Sequence, residues 1–130
     1  MSEIYAVPDV SVTVLLAEDS DAIRSAIKRI LKDQPGIALV GEAVNFSQTL
    51  QMCADLQPKV VLLDLHMPGE EDFSPDFIKS KLLVCAKHLL AISIWNDEQA
   101  KTLAASYGAA NLLDKVSLGS QLVPTILRLV

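Results

Sequence analysis

A chain of 130 residues fits one domain with a sizeable core, and its 51% hydrophobic and 21% charged residues exclude a disordered polypeptide. A net charge of −5 argues against nucleic-acid binding by this segment itself. The longest apolar stretch, Leu82 to Trp95, is interrupted by Lys87 and His88, so no run reaches the ~20 residues that cross a bilayer.

Residues 1–9 are expected to be a tail before a single domain over 10–130. Met1 to Pro8 carries Glu3 and no basic residue, unlike a signal peptide. The first strand runs from about Val12 to Ala17 and is apolar throughout, as a strand covered on both faces must be. Ser20 suits an N-cap, and Ile23, Ile27, Ile30 and Leu31 mark one face of the helix that follows. Pro35-Gly36 ends that helix, and Ile37 to Ala43 is the second strand. Asn45 with Gln48 predicts a capping box for a helix that turns Leu50, Cys53, Ala54 and Leu56 inward. Pro58 stops it, and Val60 to Asp64 is the third strand. Cys53 and Cys85 both lie in apolar segments, which predicts reduced core thiols and a cytoplasmic location.

Ser74-Pro75 starts the next helix, with proline where its missing N–H is harmless, and Ile78, Leu82 and Cys85 form the inward face. Leu89 to Ile94 is the fourth strand. Asn96 or Asp97 caps a helix facing inward through Ala100, Leu103, Ala104 and Tyr107, with Gly108 as its C-cap. Ala110 to Asp114 is the fifth strand. Leu122, Ile126 and Leu129 stripe the last helix, whose Pro124 requires a start near Ser120. Five strands strictly alternating with five helices predict an α/β fold, a flavodoxin-like doubly wound parallel sheet.

Three strand ends carry groups suited to phosphoryl chemistry: Glu18-Asp19, Asp64 and Lys115. In a doubly wound sheet these ends converge on one crevice. A single acid there would be an ordinary solvated turn residue, but three converging carboxylates repel one another unless a cation lies between them. Hard oxygen ligands with room for water suit Mg²⁺. Lys115 is either a surface lysine or the cation that pairs with Asp64 or an added phosphoryl oxygen. Ser93, ending the fourth strand, either closes the strand or aims a hydroxyl at phosphoryl oxygens, and spacing leaves both readings open. Trp95 is a core ring or a partner-facing one.

At Glu18-Asp19, Asp64 in Asp-Leu-His-Met-Pro-Gly, Ser93 and Lys115 the chain resembles the receiver domains of two-component response regulators. Those positions correspond to the family's acidic pair, phosphoacceptor, Ser/Thr switch and lysine. Val40-Gly41-Glu42-Ala43 resembles the subgroup that precedes a helix-turn-helix DNA-binding domain. The resemblance implies that Asp64 accepts a phosphoryl group from a sensor histidine kinase. It also implies Mg²⁺ held by Glu18, Asp19, Asp64 and the His66 backbone carbonyl, with Lys115 and Ser93 holding phosphoryl oxygens. It further implies a signalling module in a phosphorelay, catalysing only its own phosphorylation and dephosphorylation. Its other expectations are homodimerisation on phosphorylation, DNA contact only through a domain beyond Val130, and no membrane contact. Leu112 replaces the aromatic residue common in the family, and Ile94 replaces a smaller one. These departures leave a pseudo-receiver that signals without phosphorylation as the alternative. A hydrolytic phosphotransferase would place a second aspartate where His66 stands.

Overall fold

In the computed structural model, which describes residues 12–130, the apolar runs become five parallel strands. These are β1 (Val12–Ala17), β2 (Ile37–Ala43), β3 (Val60–Asp64), β4 (His88–Ser93) and β5 (Asn111–Asp114). Between and after them lie α1 (Asp21–Lys32), α2 (Phe46–Leu56), α3 (Pro75–Cys85), α4 (Glu98–Ser106) and α5 (Leu118–Leu129). The expected tail over residues 1–9 lies outside the described residues.

The sheet order is β2-β1-β3-β4-β5, the flavodoxin-like doubly wound arrangement. Alternation along each strand sends side chains to two separate cores. Leu15, Ala17, Val61, Leu63 and Ala91 pack with Phe46, Cys53, Ile78, Leu82 and Ala104 of α2, α3 and α4. Val14, Leu16, Leu62, Leu90 and Ile92 pack with Ile27, Leu31, Leu122 and Ile126 of α1 and α5. Each large side chain buried this way contributes about 1.5–3 kcal/mol relative to exposure, which is why the side chains that the inner strands turn into these two cores are apolar.

Local signals set most helix starts. Ser20, Ser74 and Asp97 accept hydrogen bonds from the N–H groups of Ile23, Phe77 and Ala100 at 3.3, 3.1 and 2.9 Å. Asn45 accepts from Gln48 N–H at 2.7 Å, while the Gln48 side chain reaches back one residue further than a capping box requires, to Val44 N–H at 3.0 Å.

Four expectations need correction. β4 ends at Ser93, leaving Ile94 in the following loop and 59% exposed. α2 buries Phe46, Thr49 and Cys53, whereas Ala54 is exposed and Leu56 is 41% exposed. Ala54 follows Cys53 by one residue and so turns about 100° away from the buried face. Leu56 lies over the edge strand β2, where its Cδ1 comes within 2.8 Å of where a Cβ would stand on Gly41. Tyr107 is the C-cap of α4, and Gly108 takes the left-handed position after it at φ 84°. Finally, α5 begins at Leu118, not Ser120, because a 3-10 turn over Lys115–Ser117 runs directly into it. Pro124 therefore sits inside the helix, on its exposed side, where the carbonyl it leaves unbonded faces water.

Candidate functional site

The chain order of the sheet reverses between β1 and β3, and the crevice outside their carboxyl ends is where such folds bind ligands. β1 delivers Glu18 there fully buried, with Asp19 exposed beside it. The turn is fixed from behind. Arg24 of α1 donates to the Glu18 backbone carbonyl at 2.8 Å, pairs with Asp21, and lies 3.5 Å from Glu42 Oε1 of β2. Ser20 N–H donates to Glu18 Oε2 at 3.0 Å.

β3 ends in Asp64, 4% exposed, whose Oδ1 accepts from His66 N–H at 3.2 Å. Lys115, just beyond β5, brings its Nζ to 2.8 Å from Glu18 Oε1 and 3.3 Å from Asp64 Oδ1. Carboxylate oxygens of Glu18, Asp19 and Asp64 all lie within 4.8 Å of one another. Three acids, two of them buried and Asp19 exposed, meet one ammonium, so negative charge is concentrated at the crevice.

Burial first, then the neighbouring Glu18, pushes the Asp64 carboxyl up to about 7, although Lys115 and the His66 N–H pull the other way. Burial works against the Lys115 ammonium, but Glu18 and Asp64 outweigh it and hold its pKa above the ordinary lysine value. The buried Glu18 Oε1 is met by the Lys115 ammonium at 2.8 Å, but one ammonium does not balance three carboxylates gathered within 4.8 Å. A hard divalent cation would balance them, and the all-oxygen donor set fits Mg²⁺.

The structure thus brings Glu18, Asp19, Asp64 and Lys115 together. Ser93 stands at the same end of the sheet, 2% exposed, but its Oγ accepts from the Trp95 N–H at 3.0 Å. His66 approaches Asp64 through its backbone, while its ring lies 3.3 Å from Glu70 Oε2 through Nδ1. Trp95 is a surface ring, 54% exposed, its centroid 5.8 Å from that of His66 in an edge-on contact. Leu112 packs against the core shared with α2, α3 and α4. Cys53 and Cys85 are both free. The sequence reading missed Arg24, whose one available signal is a cation spaced three residues from Asp21 and placed between the inward-facing Ile23 and Ile27.

Fold and site together define an α/β domain with a cluster of three carboxylates and a lysine in the crevice at the carboxyl ends of its strands. The chain belongs to the response regulator receiver domains, whose family profile matches residues 14–126. It is 33% identical over 104 residues to the nitrate/nitrite response regulator protein NarL of Escherichia coli, covering 79% of this chain and 47% of that one. It is 31% identical over 117 residues to the response regulator GacA of Pseudomonas protegens, covering 88% and 54%. The chain thus spans about half the length of these relatives. Among solved structures, the signal receiver domain of NarL from Mycobacterium tuberculosis superposes with a TM-score of 0.79 at 26% identity, over 93% of this chain and 96% of that one. Among the described residues no helix is long and apolar enough to cross a membrane.

Proposed function

We propose that Asp64 takes a phosphoryl group from the phosphohistidine of a sensor kinase, and that the resulting aspartyl phosphate switches a partner-binding or dimer surface. One observation carries this reading: a buried aspartate stands 3.3 Å from a half-buried lysine and within reach of two further carboxylates at the sheet's switch point. Glu18, Asp19, Asp64 and the His66 backbone carbonyl would hold Mg²⁺. Bound there, the ion supplies positive charge that offsets the carboxylates and the phosphoryl oxygens as transfer proceeds.

The protein's own groups do the rest. Asp64 Oδ1 is engaged by Lys115 and the His66 N–H, which leaves Oδ2 to attack phosphorus in line. The P–N bond to the donor imidazole breaks as the P–O bond forms, and the neutral imidazole departs. Lys115 then gains a phosphoryl oxygen as a partner, and Ser93 exchanges the Trp95 amide for another. That exchange frees the loop after β4, which couples the chemistry to the surface.

In the whole protein the output would be transcriptional, through a DNA-binding domain beyond Val130, as the NarL and GacA similarities suggest. The setting is the cytoplasm, and the segment performs no catalysis beyond its own phosphorylation and dephosphorylation. Incubation with acetyl phosphate and Mg²⁺ should add one hydroxylamine-labile phosphoryl group to the wild type and none to Asp64→Asn. Equal labelling of the two proteins overturns the assignment. Failure to label either favours a domain that signals without phosphorylation.

A further inference from the structure

Beside the phosphoacceptor crevice, between the loop after β3 and the first two turns of α4, lies a groove of about 400 Å³ lined by His66, Trp95, Asp97, Gln99, Ala100 and Leu103. Its floor is apolar, from Ala100 and Leu103. Its wall is the half-exposed indole of Trp95, and the adjacent Ile94 is 59% exposed. Two large apolar side chains in succession on a loop are unfavourably hydrated when left in water, and covering them by a partner is favourable.

The wall is held in place before any partner arrives. The Trp95 amide is tied to Ser93 Oγ at 3.0 Å, and its ring meets the His66 ring edge-on. His66 is in turn restrained by Glu70 at 3.3 Å. Pre-organisation of this kind lowers the ordering cost of association.

The charge of the groove selects the occupant. Asp97 Oδ1 caps α4 through Ala100 N–H at 2.9 Å, which leaves its second oxygen free. Glu98 is engaged by Lys101 at 3.6 Å, but Asp97 has no ion pair among the described residues. The whole chain carries −5, and Glu70, Glu71 and Asp72 form a 3-10 turn beyond His66, between β3 and α3. No lysine or arginine lines the groove.

We propose that this groove docks a partner protein through an arginine or lysine flanked by an aliphatic residue. The cation would lie on the Trp95 face with Asp97 as its counter-charge, and the aliphatic neighbour would rest on Ala100 and Leu103. This goes beyond the phosphoacceptor reading and needs no phosphoryl chemistry.

The test uses the whole chain and the peptide Ac-Leu-Arg-Leu-Ala-NH₂, with versions in which arginine is replaced by leucine or glutamate. Binding is read at low salt by Trp95 fluorescence and by amide shifts in nuclear magnetic resonance. The arginine peptide should shift Trp95, Ala100 and Leu103 saturably and bind about fivefold more tightly than the leucine peptide, the margin of one exposed cation–π and ion-pair contact. The glutamate peptide should bind least. Gln99→Lys, at an exposed position, should weaken the arginine peptide without disturbing the rest of the spectrum. Equal affinity for the arginine and leucine peptides overturns the proposal. So does an arginine peptide without saturable shifts, shifts centred on Ser47, Phe77 and Cys85 instead, or an inert Gln99→Lys. Asp64→Asn should bind the arginine peptide as the wild type does. Failure of phosphorylation and failure of docking therefore separate.

Discussion

Asp64 is held in a place that disfavours its own charge, and that makes its behaviour with pH predictable. Unfolded, the carboxyl titrates near ~4; folded, it keeps its proton up to about 7. The folded chain binds the extra proton across that window, so stability falls as pH rises through it. Asp64→Asn cannot titrate there. In chelator, thermal melts should show the wild type losing ground to Asp64→Asn between pH ~4 and ~7, by a few kcal/mol at most. Added Mg²⁺ should close the gap above pH 7, since the cation takes over the proton's role. Parallel curves for the two proteins would contradict the electrostatics described. Lys115 poses the complementary case. With its Nζ 2.8 Å from Glu18 and 3.3 Å from Asp64, Lys115→Ala leaves two buried carboxylates without their cation. Loss of one partner from a buried ion pair costs about 3–5 kcal/mol. The melting temperature should therefore drop in chelator and largely recover in Mg²⁺. A drop that Mg²⁺ does not reverse would make Lys115 chiefly a packing residue.

Among the elements, α5 carries a built-in weakness. Pro124 lies inside the helix on its exposed side, so it removes one backbone hydrogen bond without filling any core volume. Pro124→Ala should raise stability by about 1–2 kcal/mol, from ~3 kcal/mol of helix-interior penalty less the entropy proline removes from the unfolded chain. Chemical denaturation measures this directly, and an unchanged midpoint would mean that the missing hydrogen bond costs nothing at this exposed position. The segment after β4 is the element most exposed to the chemistry. Trp95, the only tryptophan, hangs its amide on the Ser93 hydroxyl, so drawing that hydroxyl toward a phosphoryl oxygen releases it. Beryllofluoride with Mg²⁺ should change Trp95 fluorescence in the wild type and less in Ser93→Ala. Identical responses would show that Ser93 is not the coupling hydroxyl. Leu112, packed against the core shared with α2, α3 and α4, has no large ring to move, so on the proposed function the loop after β4 would carry the switch.

Across the whole molecule, the alternation of five strands and five helices was readable because the inner strands are mostly apolar and four of the five helices open on a capping side chain. Those signals are local, and the doubly wound topology follows from them. What escaped was set by long-range packing. The outward turn of Ala54 follows from its place one residue after Cys53, but that of Leu56 depends on α2 lying over the sheet edge at Gly41, which no periodicity reveals. The early start of α5 depends on a 3-10 turn fixed by Asp114, whose Oδ1 accepts from Val116 N–H at 3.0 Å. In the crevice, the acids and Lys115 were legible as strand-end residues, and the fold brings them together. The role of Arg24 was not, because its partners are a backbone carbonyl and a residue on another strand. The Ser93–Trp95 bond was hidden for the same reason: its donor is main chain.

In the proposed function a phosphoryl group arrives at one particular carboxylate, that of Asp64. Reduction of the acyl phosphate with borohydride converts the modified aspartate to homoserine, which leaves a permanent mark for peptide mass spectrometry. After treatment with acetyl phosphate and Mg²⁺, homoserine should appear at Asp64 alone and should be lost when chelator replaces Mg²⁺. Homoserine at Asp19 or elsewhere, or a mark at Asp64 that is indifferent to the cation, would contradict the site described here.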